Sequence, residues 1–276
     1  MKWSNYMKLY VTAVGHSNVG TRRKNNEDNF NISGVTVNSA NDKKAFLKKT
    51  DSAVVTLCDG MGGEALGEVA SQTAVIDMAQ YSKNIVDNFN DDSILDAIFS
   101  ANDRVCEKMA ELKKYIGTTL VVFALKNKDV IIANVGDSRA YLFRNKELNQ
   151  LTVDDTEAQR LVNAGEISLT EAMKIPEKHK LTQHLGIPSD EMIIEPHCCH
   201  LRIKNGDRVL LCSDGLTDMV TEDEIKNIMV EMQSTEECAD KLLQTAIDNG
   251  GKDNVTVVML DFEKQSLINS ILDYIK

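Results

Sequence analysis

Three apolar stretches of the sequence run into an aspartate. Ala53 to Cys58 leads into Asp59-Gly60, Val130 to Gly136 into Asp137-Ser138, and Val209 to Ser213 into Asp214-Gly215. A fourth aspartate, in Asp253-Asn254, stands just before the apolar stretch Val255 to Asp261. Taken singly, Asp-Gly and Asp-Asn are ordinary turn dipeptides. Taken together they can serve one site, because in an antiparallel sheet one strand's end lies at the same edge as its neighbour's start. Carboxylates gathered there repel one another unless protons or cations neutralise them, and short, hard oxygen donors point to Mg²⁺, Mn²⁺ or Ca²⁺ rather than Zn²⁺. Gly60-Met61-Gly62-Gly63 follows Asp59 directly. Glycine there lets the chain turn sharply and brings a backbone carbonyl close to a cation. Nearer the N-terminus, Gly20, Arg23 and Asn26-Glu27-Asp28 add two carboxylates and an arginine whose planar fork can bind two phosphate oxygens at once.

These residues need strands to carry them. Leu9 to Val14, Ala53 to Cys58, Cys199 to Ile203, Arg208 to Cys212 and Val255 to Asp261 read as strands, and Thr118 to Leu151 as a meander broken at residues 126–129 and 144–147. Asp91-Asp92-Ser93 can cap a helix whose Ile94, Ile98, Ala101, Val105, Met109 and Leu112 recur at steps of three or four. Val69 to Tyr81, Asp154 to Ala164, Glu222 to Met232 and Thr235 to Asn249 read as further amphipathic helices. Hairpins and helices come in blocks rather than in βαβ alternation, which favours antiparallel sheets with helices packed outside.

The whole chain sets outer bounds. It has 276 residues, 31 basic and 42 acidic, for a formal net charge of −11, with only three prolines. That balance disfavours an electrostatic grip on nucleic acid or an anionic membrane. No apolar run approaches the roughly 18–20 residues that span a bilayer, and no secretory signal is evident, so a cytoplasmic, monomeric protein is expected. The six cysteines lack CxxC spacing, which suits reduced thiols.

Six motifs, in order, resemble those of the metal-dependent PP2C-type serine/threonine protein phosphatases in their bacterial form. They are Gly20-Thr21-Arg22-Arg23-Lys24-Asn25-Asn26-Glu27-Asp28, Cys58-Asp59-Gly60-Met61-Gly62-Gly63, Gly117-Thr118-Thr119-Leu120, Val135-Gly136-Asp137-Ser138-Arg139, Leu211-Cys212-Ser213-Asp214-Gly215-Leu216-Thr217-Asp218 and Gly251-Lys252-Asp253-Asn254-Val255-Thr256. The resemblance spans roughly Leu9 to Phe262. It implies an α+β fold, an α-β-β-α sandwich of two stacked antiparallel sheets flanked by helices, as one domain over residues 1–262. It also implies two or three Mn²⁺ or Mg²⁺ ions at one edge. By position, Asp59 would bridge two metals, the Gly60 carbonyl would bind one, and Asp214 and Asp253 the other. Glu27 and Asp28 would hold metal-bound waters, Arg23 the substrate phosphate, and Asp137 and Asp218 a third, weaker metal. Residues 154–196 match a variable flap beside the site.

The implied reaction is hydrolysis of phosphoserine and phosphothreonine in proteins, opposing a bacterial-type Ser/Thr kinase, by a metal-bridging water and without a covalent phosphoenzyme. No Cys-x5-Arg loop begins at any cysteine, and Glu68 occupies the lysine position of a would-be P-loop. Two other classes are a catalytically silent, metal-loaded interaction domain, against which retention of every expected ligand argues, and a Ca²⁺ module, for which no EF-hand spacing exists. Met61 replaces the histidine of many eukaryotic relatives, Glu64 and Asp155 stand where many bacterial members have histidine, and His179 where they often have asparagine. His197-Cys198-Cys199-His200 resembles a zinc site, yet strand alternation would split it between two faces. Leu267, Ile268, Ile271, Leu272 and Ile275 suggest an amphipathic C-terminal helix over residues 263–276 that docks on its own domain.

Overall fold

Thirteen strands and seven helices are formed among the described residues, which are 8–36, 42–62, 66–172 and 174–264 of a computed structural model. In chain order they are β1 (Leu9–Asn18), β2 (Asp28–Ile32), β3 (Val35–Thr36), β4 (Asp42–Thr50), β5 (Ser52–Gly62), α1 (Gly67–Asp87), α2 (Asp91–Leu112), β6 (Ile116–Thr118), β7 (Leu120–Lys126), β8 (Asp129–Val135), β9 (Arg139–Arg144), β10 (Glu147–Gln150), α3 (Glu157–Asn163), α4 (Leu169–Ala172), β11 (His197–Arg202), β12 (Arg208–Cys212), α5 (Asp214–Thr217), α6 (Glu222–Glu231), α7 (Thr235–Asp248) and β13 (Val255–Lys264). One sheet runs β10-β9-β12-β13-β1-β4 and the other β11-β8-β7-β5-β2-β3, with β6 added on β5. Among the described residues the strands pair antiparallel throughout.

The strand sequences show why the layers stack as they do. In β12, Val209 and Leu211 point into the core between the sheets, while Leu210 and Cys212 point out beneath the helices. In β7, Val121, Phe123 and Leu125 face the same inner core, and Val122 and Ala124 meet α1 and α2. Strands covered on both faces read as continuous apolar runs, not as alternating ones. The inner core joins the sheets through pairs such as Phe123 and Phe262, whose ring centroids are 6.1 Å apart. Outside it, α1 and α2 bury Ala70, Ala74, Met78, Ile94, Ile98 and Val105 on one sheet. On the other sheet, α6 and α7 bury Ile225, Met229, Leu242 and Leu243.

Local chemistry sets the turns. Asn145 and Lys146 both take left-handed φ values, 55° and 63°, making the two-residue turn that matches strand twist between β9 and β10. The cap of α2 is Asn90, whose side chain accepts from the Ser93 amide at 2.9 Å, one residue before the expected Asp91. The strand β13 continues through Lys264, pairing Glu263 with Tyr10 and Lys264 with Leu9. Residues 263 and 264 therefore extend the sheet instead of starting a helix, and the five apolar residues from Leu267 to Ile275 lie outside the described residues.

Candidate active site

The site grows from strand ends. Asp28 opens β2 and pairs in register with Asp59 near the end of β5. Asp137 sits in the turn between β8 and β9, Asp214 opens α5 directly after β12, and Asp253 lies just ahead of β13. The two sheets thus each deliver carboxylates to one shared edge, close enough for each charge to act on the others. Burial, then the charges of Asp28, Asp214, Asp137 and Asp253, hold the Asp59 carboxyl well above the usual range. Burial and Asp214 push Asp137 up to about 8, and burial raises Asp28 to about 6. Asp214 is raised by burial and then by Asp253 and Asp218.

Hydroxyls fix these acids in place. Asp28 Oδ2 accepts from Ser213 Oγ at 2.8 Å and Thr256 Oγ1 at 2.6 Å, linking β2 to the ends of β12 and β13. Its other oxygen, Oδ1, is buried with no hydrogen-bond partner. The Asp59 amide donates to Thr119 Oγ1 at 2.9 Å, and the Asp59 carbonyl accepts from the Thr119 amide and the Thr118 hydroxyl. Thr119 Oγ1 also bonds Ser138 Oγ at 2.7 Å, so one threonine ties the Asp59 strand to the Asp137 turn. Gly136 supplies that turn with a φ of 99°, and its amide donates to Asp155 Oδ2 at 2.9 Å.

Backbone crowding explains Gly60. A Cβ there would meet the Gly67 carbonyl oxygen at 2.0 Å and the Glu27 carbonyl oxygen at 2.7 Å. Glu27 is held in turn: its amide donates to Asn254 Oδ1, and its Oε1 accepts from the Gly67 amide at 3.1 Å. Asn254 Nδ2 donates to the carbonyls of Val19 and Asn25, latching the segment that carries Arg23. Arg23 reaches the rim of the cluster, where its Nη2 donates to Asp253 Oδ2 at 2.6 Å. The remaining guanidinium N–H groups offer further donors beside the acids.

The donor set fits divalent cations. Hard carboxylate oxygens predominate, several are held above their ordinary pKa by one another, and a buried carboxylate oxygen has nothing to bond to. Ligand atoms of Asp137, His179 and Asp214 all lie within 4.8 Å of one another. Asp218 takes a different position from the other acids. It is about a third exposed and pairs with Lys178 Nζ and His179 Nε2, both at 3.0 Å. Burial raises its pKa, but the bonds from His179 and Lys178 outweigh that and leave it lowered.

Arg23, Glu27, Asp28, Asp59, Gly60, Asp137, Asp214 and Asp253 stand out in the sequence, and the structure brings them to one edge. Thr119, Ser213, Asn254 and Thr256 also serve the site; each lies beside an aspartate or within one of the six motifs, but only the fold shows its contacts. Arg139 forks onto Asp154, with Nη2 2.6 Å from Oδ2, and so braces the Asp137 turn. The zinc-like run divides as alternation demands: His197 bonds Asp155 at 3.0 Å, and His200 bonds Asp91 at 2.6 Å. Asp155 thereby joins the Gly136 turn to β11, while Glu64 lies outside the described residues. A surface hollow of about 680 Å³, lined by Phe89, Asp91, Asp129, His200 and Arg202, shares no residue with the carboxylate edge. Among the described residues no helix is long and apolar enough to cross a membrane.

Known proteins share this architecture. The family model for protein phosphatase 2C matches residues 12–255. The serine/threonine phosphatase stp of Listeria welshimeri is 34% identical over 255 residues, which is 88% of this chain and 92% of the relative. The crystal structure of the Mycobacterium tuberculosis serine/threonine phosphatase PstP/Ppp superposes with a TM-score of 0.77 at 31% identity, covering 92% of this chain and 99% of the other. The catalytic domain of PstP in complex with two manganese ions gives 0.75 at 30% identity, with coverages of 92% and 99%. A two-sheet sandwich that collects acids at one edge, matched along most of its length at this level of identity, makes the chain a member of the protein phosphatase 2C family, a serine/threonine phosphatase of the bacterial form.

Proposed function

We propose that the carboxylate edge is a dinuclear Mn²⁺ or Mg²⁺ centre that hydrolyses phosphoserine and phosphothreonine in proteins, opposing a Ser/Thr kinase. Asp59 would be shared between the cations, the Gly60 carbonyl would serve one, and Asp214 and Asp253 the other. Such ions, when bound, supply a water acidified to near neutral pH and neutralise charge on the phosphoryl oxygens. The observation that carries this reading is Asp28. Its Oδ2 is pinned by Ser213 and Thr256 while its Oδ1 stays buried, unpartnered and near Asp59, Asp214 and Asp253.

The protein's own groups then have distinct tasks. Thr119 and Ser138 hold the Asp59 strand end against the Asp137 turn, so the acids cannot spread apart. Arg23 stands at the rim, where its fork can grip two phosphoryl oxygens and orient the ester over the acids. Glu27 and Asp28 would accept protons from water held at the centre. Met61 brings no ionisable group, so protonation of the leaving alkoxide falls to water held by these acids.

The test is phosphate release from a phosphothreonine peptide with Mn²⁺, with excess chelator, and with Asp59→Asn or Asp214→Asn. Turnover that needs the ion and collapses in both variants supports the reading. Chelator-resistant turnover, or full activity in both variants, overturns it.

A further inference from the structure

His179 ends a single 3-10 turn, Pro176–His179, in the segment beside the site, far in sequence from Asp137, Asp214 and Asp218. Its ring sits between two carboxylates. Nε2 is 3.0 Å from Asp218 Oδ2, and Nδ1 is 3.5 Å from Asp214 Oδ2. The first contact orients the ring, with its Nε2 edge on Asp218 and its Nδ1 edge toward the carboxylate of Asp214. Ligand atoms of Asp137, His179 and Asp214 all fall within 4.8 Å of one another, the span that opposite donors make across an ion with bonds of about 2.1–2.4 Å. A carboxylate holding one nitrogen of a histidine while the other binds metal is the usual way proteins orient an imidazole ligand.

We infer that His179 is a nitrogen ligand to the third divalent cation that the resemblance implies beside Asp137, shared with Asp214, and that Asp218 is the positioning residue that orients the ring instead of a ligand itself. The inference rests on the metal-centre reading above. It adds two properties that a site of carboxylates alone lacks. An imidazole donor favours Mn²⁺ and later transition ions over Mg²⁺. Because His179 belongs to the segment beside the site while Asp137 lies in the turn that joins the two sheets and Asp214 follows β12, an ion held by all three fastens that segment to the sheet edge.

The experiment is pulsed electron paramagnetic resonance of the full chain titrated with Mn²⁺, read for ¹⁴N coupling from a bound imidazole. The chain has five histidines, and His179 alone belongs to a metal-ligand cluster among the described residues. The expected result is nitrogen modulation in the wild type that is absent in His179→Ala and His179→Asp. Affinity for the weakest-bound Mn²⁺ should fall about tenfold or more in His179→Ala and recover in part in His179→Asp, which returns an oxygen donor. Tryptic cleavage after Lys174 should slow with Mn²⁺ in the wild type and not in His179→Ala. No nitrogen coupling at saturating Mn²⁺, or coupling that persists in His179→Ala, overturns the inference. Loss of nitrogen coupling with Mn²⁺-dependent turnover intact would leave the phosphatase reading standing. Nitrogen coupling without turnover would leave the ligand assignment standing.

Discussion

Removing divalent cations should make this protein less stable as pH rises from 5 to 8, and Asp28→Asn should remove part of that loss. Burial raises the native Asp28 carboxyl from 3.8 to about 6. A native pKa above the unfolded one means that the folded state keeps a proton the unfolded chain has released, so stability is highest at low pH and is lost as pH climbs through the native value. At pH 5 the native group is about nine-tenths protonated and the unfolded one almost wholly ionised, whereas at pH 8 both are ionised. The difference amounts to about 1–2 kcal/mol lost between those pH values, or a fall of about 2–6 °C in Tm for a chain of this size. Asp59 and Asp137, both raised and both in the same cluster, shift stability in the same direction. Asp28→Asn keeps the shape and an acceptor for Ser213 and Thr256 but holds no charge, so its slope should be shallower by about 1–2 kcal/mol over the same interval. Groups outside the cluster titrate alike in both proteins and cancel in the comparison. The assay is urea unfolding of chelator-treated protein at pH 5, 6, 7 and 8, with and without saturating Mn²⁺. The ion should restore stability at pH 8, since it binds the ionised acids. A metal-free wild type whose stability is flat or rises with pH, or an Asn variant with the wild-type slope, would show that Asp28 does not hold a proton in the folded state.

Three further outcomes follow from particular contacts. Arg23→Ala should raise KM for phosphopeptide and lower kcat/KM by about 10–100-fold while leaving Mn²⁺ binding in place, as read by steady-state kinetics and calorimetry. Gly60→Ala should destabilise the fold by about 3 kcal/mol or more, because the new Cβ meets backbone oxygen at 2.0 Å, and denaturant titration would reveal wild-type stability if that crowding were unimportant. Thr119→Val, which leaves the Asp59 amide and Ser138 hydroxyl without their shared partner, should cost about 1–3 kcal/mol and lower kcat; an unchanged kcat would show that the tie between strand and turn does not position the acids.

Much of this arrangement was legible because apolar strands and their terminal aspartates are both written in short stretches of sequence. Residues 208–212 were bounded to the residue as β12, and the turns at 126–129 and 144–147 fell where asparagine takes a left-handed conformation. What escaped has physical reasons. The strand β2 alternates Asn29 and Asn31 with Phe30 and Ile32, and all are buried. Asn29 bonds Ser71 and accepts from Lys43, so polar residues mark a core strand whose partners lie far away in the chain. The strand β4 is an edge strand rich in lysine, a device that discourages pairing with other chains and hides the strand from a hydrophobicity reading. The hydroxyls of Ser213, Thr119 and Thr256 were visible, but their tasks depend on contacts between sheets that no local pattern encodes. His179 is a similar case. Its position relative to Asp137 and Asp214 appears only once the 154–196 segment is folded over the edge.

Under the proposed function, the acids at the sheet edge bind the ions that perform phosphate-ester hydrolysis. The most direct test is to measure bound Mn²⁺ and turnover of a phosphothreonine peptide in the same samples, for the wild type and for Asp59→Asn. In the wild type, turnover should emerge as the second equivalent binds, and in Asp59→Asn both the second equivalent and at least about a thousandfold of kcat should disappear together. Turnover that is complete with no bound ion, or an Asp59→Asn protein that keeps both its ions and its rate, would rule out a metal centre at this edge.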